Sequence, residues 1–194
     1  MINISCLQRP FLILLNSKTM IKFIKPHKKY AADIFTYKAE MIAANDPLNG
    51  VRSIENFDNY EQWESYLRKV EALDTVDYAK QLVKTSQYFL VREKDDKIVA
   101  TVEIRHILTD FLYECGGNIG YSVRPKERKK GYAKLALKLA LNQCKKEGLF
   151  RVLVTTDFDN IGSIRTIIAN GGLFENQVYC EKYGIEIRRY WFNL

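Results

Sequence analysis

Ten residues, Arg124-Pro125-Lys126-Glu127-Arg128-Lys129-Lys130-Gly131-Tyr132-Ala133, gather cations around a glycine. With Lys134 and Lys138, seven cations stand against the single carboxylate Glu127, nearly the whole net charge of +7. Before them runs Asn118-Ile119-Gly120-Tyr121-Ser122-Val123, which has the alternation of a strand. After them Lys134 to Glu147 is rich in Leu, Ala and Lys and ends at Gly148, as a helix does. The first amides of a helix lack intrahelical acceptors and carry the positive end of its dipole, so a strand that enters a helix through this loop can bind an anion. Gly131 lets a ligand approach the backbone. Cations at a helix start oppose the dipole, so helix stability does not explain them. The expected ligand is a phosphate or pyrophosphate. A solvated basic face and a nucleic-acid patch are the competing readings. No Gly-Lys-Ser/Thr follows, and the three glycines of a dinucleotide turn are missing.

The chain at this point resembles the GCN5-related N-acetyltransferase (GNAT) family. Arg128-Lys129-Lys130-Gly131-Tyr132-Ala133 fits its Arg/Gln-x-x-Gly-x-Gly/Ala signature, and Gly120-Tyr121-Ser122-Val123-Arg124-Pro125 resembles its Gly-Tyr-x-Val-x-Pro strand end. Val152-Leu153-Val154-Thr155-Thr156, then Asn160-x-x-Ser163, then Asn170-Gly171-Gly172, is similar to its second segment. The resemblance covers about residues 21 to 194. It implies an acyl-CoA N-acyltransferase fold and acetyl-CoA as donor, with no metal.

It also implies a site. The amides of Arg128, Lys129, Lys130, Gly131, Tyr132 and Ala133 would cradle the pyrophosphate. In the family the strand holding Tyr121, Ser122 and Val123 splays from its neighbour and pairs with the pantetheine arm. Val123 matches the amide that faces the thioester carbonyl. Asn160 matches the asparagine that contacts the cofactor arm, and is equally suited to cap a helix. Four residues after Ser163, where many members carry a tyrosine that protonates the thiolate, this chain has Ile167. Ile167 is expected to line the thioester pocket, with the proton coming from water or the acceptor ammonium.

The base is sought among carboxylates in the sheet. Glu103 lies mid-strand on a half-apolar face, where an unpaired carboxylate is costly. It could accept the amine proton, or pair with Arg105 two residues along. His106, on the other face, reads as a satisfied core histidine, and His27 as surface.

The positioning elements follow from periodicity. Strands are predicted over 21–24, 87–92, 97–108, 118–124 and 151–156, with a closing hairpin of 173–181 and 185–192. Helices are predicted over 28–44, over 57–70 capped by Asp58 or Asn56, over 75–84, over 134–147 and over 161–170. The result is an α/β fold, a mixed twisted sheet of about six to seven strands flanked by about four helices. Residues 20–194 read as a single N-acetyltransferase domain.

The chain has 194 residues, 47% hydrophobic and 27% charged, as globular domains do. Its four cysteines, Cys6, Cys115, Cys144 and Cys180, are widely spaced, which favours reduced thiols over a disulfide framework or zinc site. No apolar run approaches the ~20 residues needed to span a bilayer. The apolar stretch Phe11 to Leu15 is short for a signal peptide. Residues 1–19 read as a disordered extension before the first strand, or as the product of too early a start codon with Met20 as the alternative start.

The sequence therefore points to a cytoplasmic acetyltransferase that moves an acetyl group from acetyl-CoA to a primary amine of a small molecule or peptide by direct attack. An acyl-CoA sensor of the same fold and a basic nucleic-acid-binding module are the alternatives. The acceptor and the oligomeric state, a homodimer included, are left open.

Overall fold

Period-two apolar runs become strands and period-3.6 runs become helices, each burying one face. The structure, a computed structural model, describes residues 11–16 and 19–194. Five strands form one antiparallel sheet in chain order: β1 (Phe11–Asn16), β2 (Thr19–Ile24), β3 (Thr85–Arg92), β4 (Lys97–Arg105) and β5 (Ile119–Val123). A second sheet of three has the order β6 (Arg151–Asp157), β8 (Ile185–Asn193), β7 (Leu173–Cys180). Helices α1 (Ala31–Ala43) and α2 (Tyr60–Glu71) cover one face. The other face carries α3 (Tyr132–Lys146) and α4 (Ile161–Ile168), whose apolar residues share a core cluster with the strands. This is the mixed α/β architecture expected.

In α2, Tyr60, Trp63, Leu67 and Val70 are buried at spacings of three and four. Asn59, rather than Asn56 or Asp58, caps it, its Oδ1 accepting from the Gln62 N–H at 3.0 Å. Trp63 is fully buried, and its Nε1 donates to Arg52 O at 2.7 Å. A Trp→Ala truncation in such a place costs about 3–5 kcal/mol.

Four expectations need correction. Residues 11–16 are not a disordered extension: they pair antiparallel with β2, from Phe11 opposite Phe23 to Asn16 opposite Thr19, and Ile13 and Leu15 pack on the core. The rest of the expected extension, 1–10 and 17–18, lies outside the described residues. This strand raises the count to eight. The segment 75–84 is no helix, because Asp77 and Leu82 exchange backbone bonds and Gln81 takes a positive φ. Simple alternation in β4 fails at Val99, a bulge: Leu90 faces Ala100 while Val91 faces Ile98. Ile98 thus joins the α1/α2 side and Val99 the α3/α4 side.

The fourth concerns thiols. Cys115 and Cys180 are joined as a disulfide, Cα atoms 5.9 Å apart. A helical turn ending at Gly116 carries Cys115 to the last residue of β7, and both pack with Ile187. That turn has no apolar periodicity to announce it. Cys144 is free, and burial pushes its thiol up to about 12.

Candidate active site

Alternate residues of an antiparallel strand bond the same neighbour. The Arg124 N–H donates to Val99 O at 3.0 Å and the Arg105 N–H to Asn118 O at 2.7 Å, with Gly120 opposite Glu103 and Ser122 opposite Thr101 between them. The backbone groups of Ile119, Tyr121 and Val123 therefore point away from β4, toward β6. At the start of β5, Asn118 ties the two strands together: its N–H donates to Leu153 O (2.7 Å), and its Oδ1 accepts from the Leu153 N–H (2.8 Å). Beyond that point no backbone bond joins β5 to β6 among the described residues, and the strands belong to separate sheets. The Tyr121 and Val123 amides have no backbone partner on that side among the described residues. Arg128 Nε donates to Val123 O at 3.2 Å, so the carbonyl is held while the N–H is not.

The loop after β5 enters α3 through two left-handed residues, Lys129 (φ 61°) and Gly131 (φ 88°). Left-handed residues interleaved with ordinary ones form amide concavities that bind anions. No side chain caps the N-terminus of α3, and a Cβ on Gly131 would meet only Leu15, at 3.7 Å. The cradle is open, as the glycine predicts.

Its cations divide into two sets. Arg124 is fully buried, its NH2 nitrogen 2.8 Å from Asp33 Oδ1 and its Nε 2.9 Å from Glu40 Oε2, and so anchors α1 to the end of β5. Arg128 pairs with Asp46 (2.8 Å) and Lys130 with Glu127 (2.9 Å). Glu127 also binds Arg92, and these partners, Arg92 first, hold its carboxyl down to about 2. Tyr132 is buried, its hydroxyl accepting from Arg92 at 3.2 Å, so only its backbone is left to face the loop. Lys126, Lys129, Lys134 and Lys138 make no ion pair among the described residues. A broad basic face is thus reduced to a few lysines around the cradle, which weakens the nucleic-acid reading.

Ser163 and Tyr121 meet across the gap, hydroxyl to hydroxyl at 2.8 Å. Burial pushes the Tyr121 phenol up to about 12, with Ser163 pulling the other way. Asn160 Oδ1 accepts from the Ser163 N–H at 3.0 Å and so caps α4. Ile167 departs from expectation: it is fully buried in the core, with its Cγ2 only 2.5 Å from where a Gly172 Cβ would stand. A side chain with no accessible surface cannot line a pocket. The helical face that ends at Ile167 turns under the sheet, and Ser163 is its residue at the gap.

Glu103, 4% exposed, accepts from Arg105 Nε (2.9 Å) and Arg52 NH1 (3.2 Å) through the same oxygen. It is an ion-pair centre, as the competing reading with Arg105 expected, and both bonds draw on the carboxylate a base would use. Arg52 belongs to a loop that sequence periodicity left unassigned. Gln87, buried in β3, holds that loop by accepting from the Arg52 N–H (2.9 Å) and donating to Gly50 O (2.7 Å). Gly50 lies directly on β5, and a Cβ there would stand 2.5 Å from Tyr121 Cα. His106 bonds Ser86 at 3.0 Å, and its burial lowers its basicity.

A left-handed loop at a helix start and a strand pair that splays with unpaired amides coincide with what the sequence resemblance implies. The family model described as "Acetyltransferase (GNAT) family" matches residues 48–167, more than half of the chain. The chain belongs to the GNAT acetyltransferase family. It is therefore an acyltransferase. Among solved structures, the ribosomal-protein-S5-alanine acetyltransferase from Vibrio fischeri superposes with a TM-score of 0.68 at 20% identity, covering 94% of this chain and 96% of that one. RimL, a ribosomal L7/L12 alpha-N-protein acetyltransferase in complex with coenzyme A, gives 0.67 at 11% identity, over 95% and 98%. The microcin C7 self-immunity acetyltransferase MccE, in complex with acetyl-CoA and AMP, gives 0.60 at 17%, over 90% and 92%. No curated protein sequence matches significantly. No helix among the described residues is long and apolar enough to cross a membrane.

Proposed function

We propose that this GNAT enzyme transfers an acetyl group from acetyl-CoA to a primary amine of a small molecule or peptide, by direct attack without an acyl-enzyme. The observation that carries this reading is continuity: the unpaired amides of Tyr121 and Val123 lead, within one short turn, into the left-handed cradle at Lys129–Gly131. A pyrophosphate and a pantetheine amide are joined in one cofactor, and here their two docking features adjoin.

In this reading the cradle amides hold the pyrophosphate, and the β5 edge pairs with the pantetheine. The Val123 N–H faces the thioester oxygen, where a backbone donor aimed at the developing charge contributes ~2.7–4 kcal/mol. Ser163, backed by Tyr121, supplies a proton to the departing sulfur in place of the tyrosine that Ile167 replaces. Tyr121 stays protonated through the neutral range because its phenol is pushed up to about 12. Two of the similar structures come from enzymes whose acceptors are ribosomal proteins, so peptide α-amines lead the list of acceptors to try. The test is release of free CoA from acetyl-CoA, with a panel of N-terminal peptides, polyamines and aminoacyl compounds. Acceptor-dependent release supports the reading, and binding of CoA with no release for any amine would favour a sensor.

A further inference from the structure

The acceptor side of the gap holds a second carboxylate, Asp157, the last residue of β6. Val152 and Val154 pack among the α3/α4 core residues, so strand alternation sends Leu153, Thr155 and Asp157 to the opposite face. Two contacts agree with this. Thr155 Oγ donates to Cys115 O at 2.8 Å, and Ile187, paired with Asp157 across β8, packs against Cys115. The contact of Tyr121 with Ser163, six residues beyond Asp157, shows that β5 and β6 run side by side toward the same end of the gap. Strand alternation thus places Asp157 on the face of β6 turned away from the α3/α4 core, at the end of the strand that leads toward Ser163.

The neighbouring groups on that face are committed. Ser122 Oγ bonds Tyr37 (2.9 Å) and Thr101 (3.1 Å), Gly120 is covered by Gly50, and Glu103 is held by two arginines. Asp157 is exposed, and no other side chain among the described residues pairs with it. Partial burial, and then Asp159 in the following turn, raise its carboxyl above the ordinary aspartate value.

We infer that Asp157 is the general base, taking the proton of the acceptor amine directly or through one water as the nitrogen attacks the acetyl carbon. The inference rests on the acetyl-transfer reading. The new bond is N–C and the broken bond is C–S. The electron pair leaves on sulfur as thiolate, which is protonated at the Ser163–Tyr121 pair, and Asp157 returns its proton to solvent.

The experiment compares wild type, Asp157→Asn and Asp157→Glu. It measures steady-state kinetics with the best acceptor from the amine panel, CoA binding by calorimetry, and melting temperature. Asp157→Asn is expected to lower kcat by ~10²–10⁴-fold while melting and CoA affinity stay at wild-type values, and Asp157→Glu to recover much of the rate. Wild-type kcat in Asp157→Asn overturns the inference, as does a change confined to KM, which would make Asp157 a binding group for the ammonium. A wild-type protein that binds CoA yet acetylates no amine overturns both this inference and the reading it rests on.

Discussion

Asn118 grips Leu153 with its backbone N–H and its side-chain oxygen together, while its Nδ2 donates to Arg105 O at 3.0 Å. One buried amide thus joins the last bonded point of two sheets, and the gap opens immediately beyond it. The paired amides fix where the splay begins, and hence that Tyr121 and Val123 are the residues left facing it.

Glu103 should prove structural. Glu103→Ala removes the partner of two part-buried guanidinium groups, and breaking a buried ion pair costs ~3–5 kcal/mol. Glu103→Gln keeps the shape and should retain kcat within a few-fold while melting earlier. Thermal denaturation beside acceptor kinetics checks this, and a collapse of kcat with wild-type melting would restore Glu103 as the base.

Residues before β2 should matter for stability. Removing 1–18 strips β1, exposing the edge of β2 and the core contacts of Ile13 and Leu15. In a chain of 194 residues each kcal/mol shifts melting by roughly 2–4 °C. A clear drop in melting temperature is expected, and an unchanged value would show that β1 contributes nothing.

The helices were legible where Trp63, Leu67 and Val70 bury at helical spacing, and where 134–147 is rich in Leu, Ala and Lys. The cradle was legible because Gly131 and its cations are local in sequence. Less could be read where meaning depends on distant partners. Arg124 reads as a cradle cation until Asp33 and Glu40 of α1 are seen around it. Pairing of Glu103 with Arg105 could be read two residues along, but its second partner, Arg52, lies 51 positions away in a loop without periodicity, and Gln87 carried no signal beyond being a polar residue in an apolar strand. Ile167 follows Asn160 and Ser163 at helical spacing, yet a helix rotates its face, and the core took the last position. Cys115 and Cys180 are 65 residues apart, a separation over which sequence specifies no pairing.

Acid stability should depend on Glu127. Arg92 and Lys130 hold its carboxyl down to about 2, below the ordinary glutamate value. A depressed carboxylate stabilises the fold above its unfolded pKa, and the contribution is lost as pH falls from about 4.5 toward about 2. Glu127→Gln should lower melting temperature at pH 7 and flatten its fall across that acid window. A melting profile parallel to wild type throughout would mean that Arg92 and Lys130 do not stabilise the folded carboxylate.

Calorimetric titration of CoA into wild type and Gly131→Val, each shown to be folded by its melting curve, tests the central claim most directly. Valine at a φ of 88° strains the backbone and places a branched side chain over the cradle amides. Wild type should bind CoA, and the variant should bind at least about tenfold more weakly, a loss of roughly 1.4 kcal/mol or more. Equal affinity in the two proteins, or no binding by wild type, would contradict the cradle and the acetyl-CoA site built upon it.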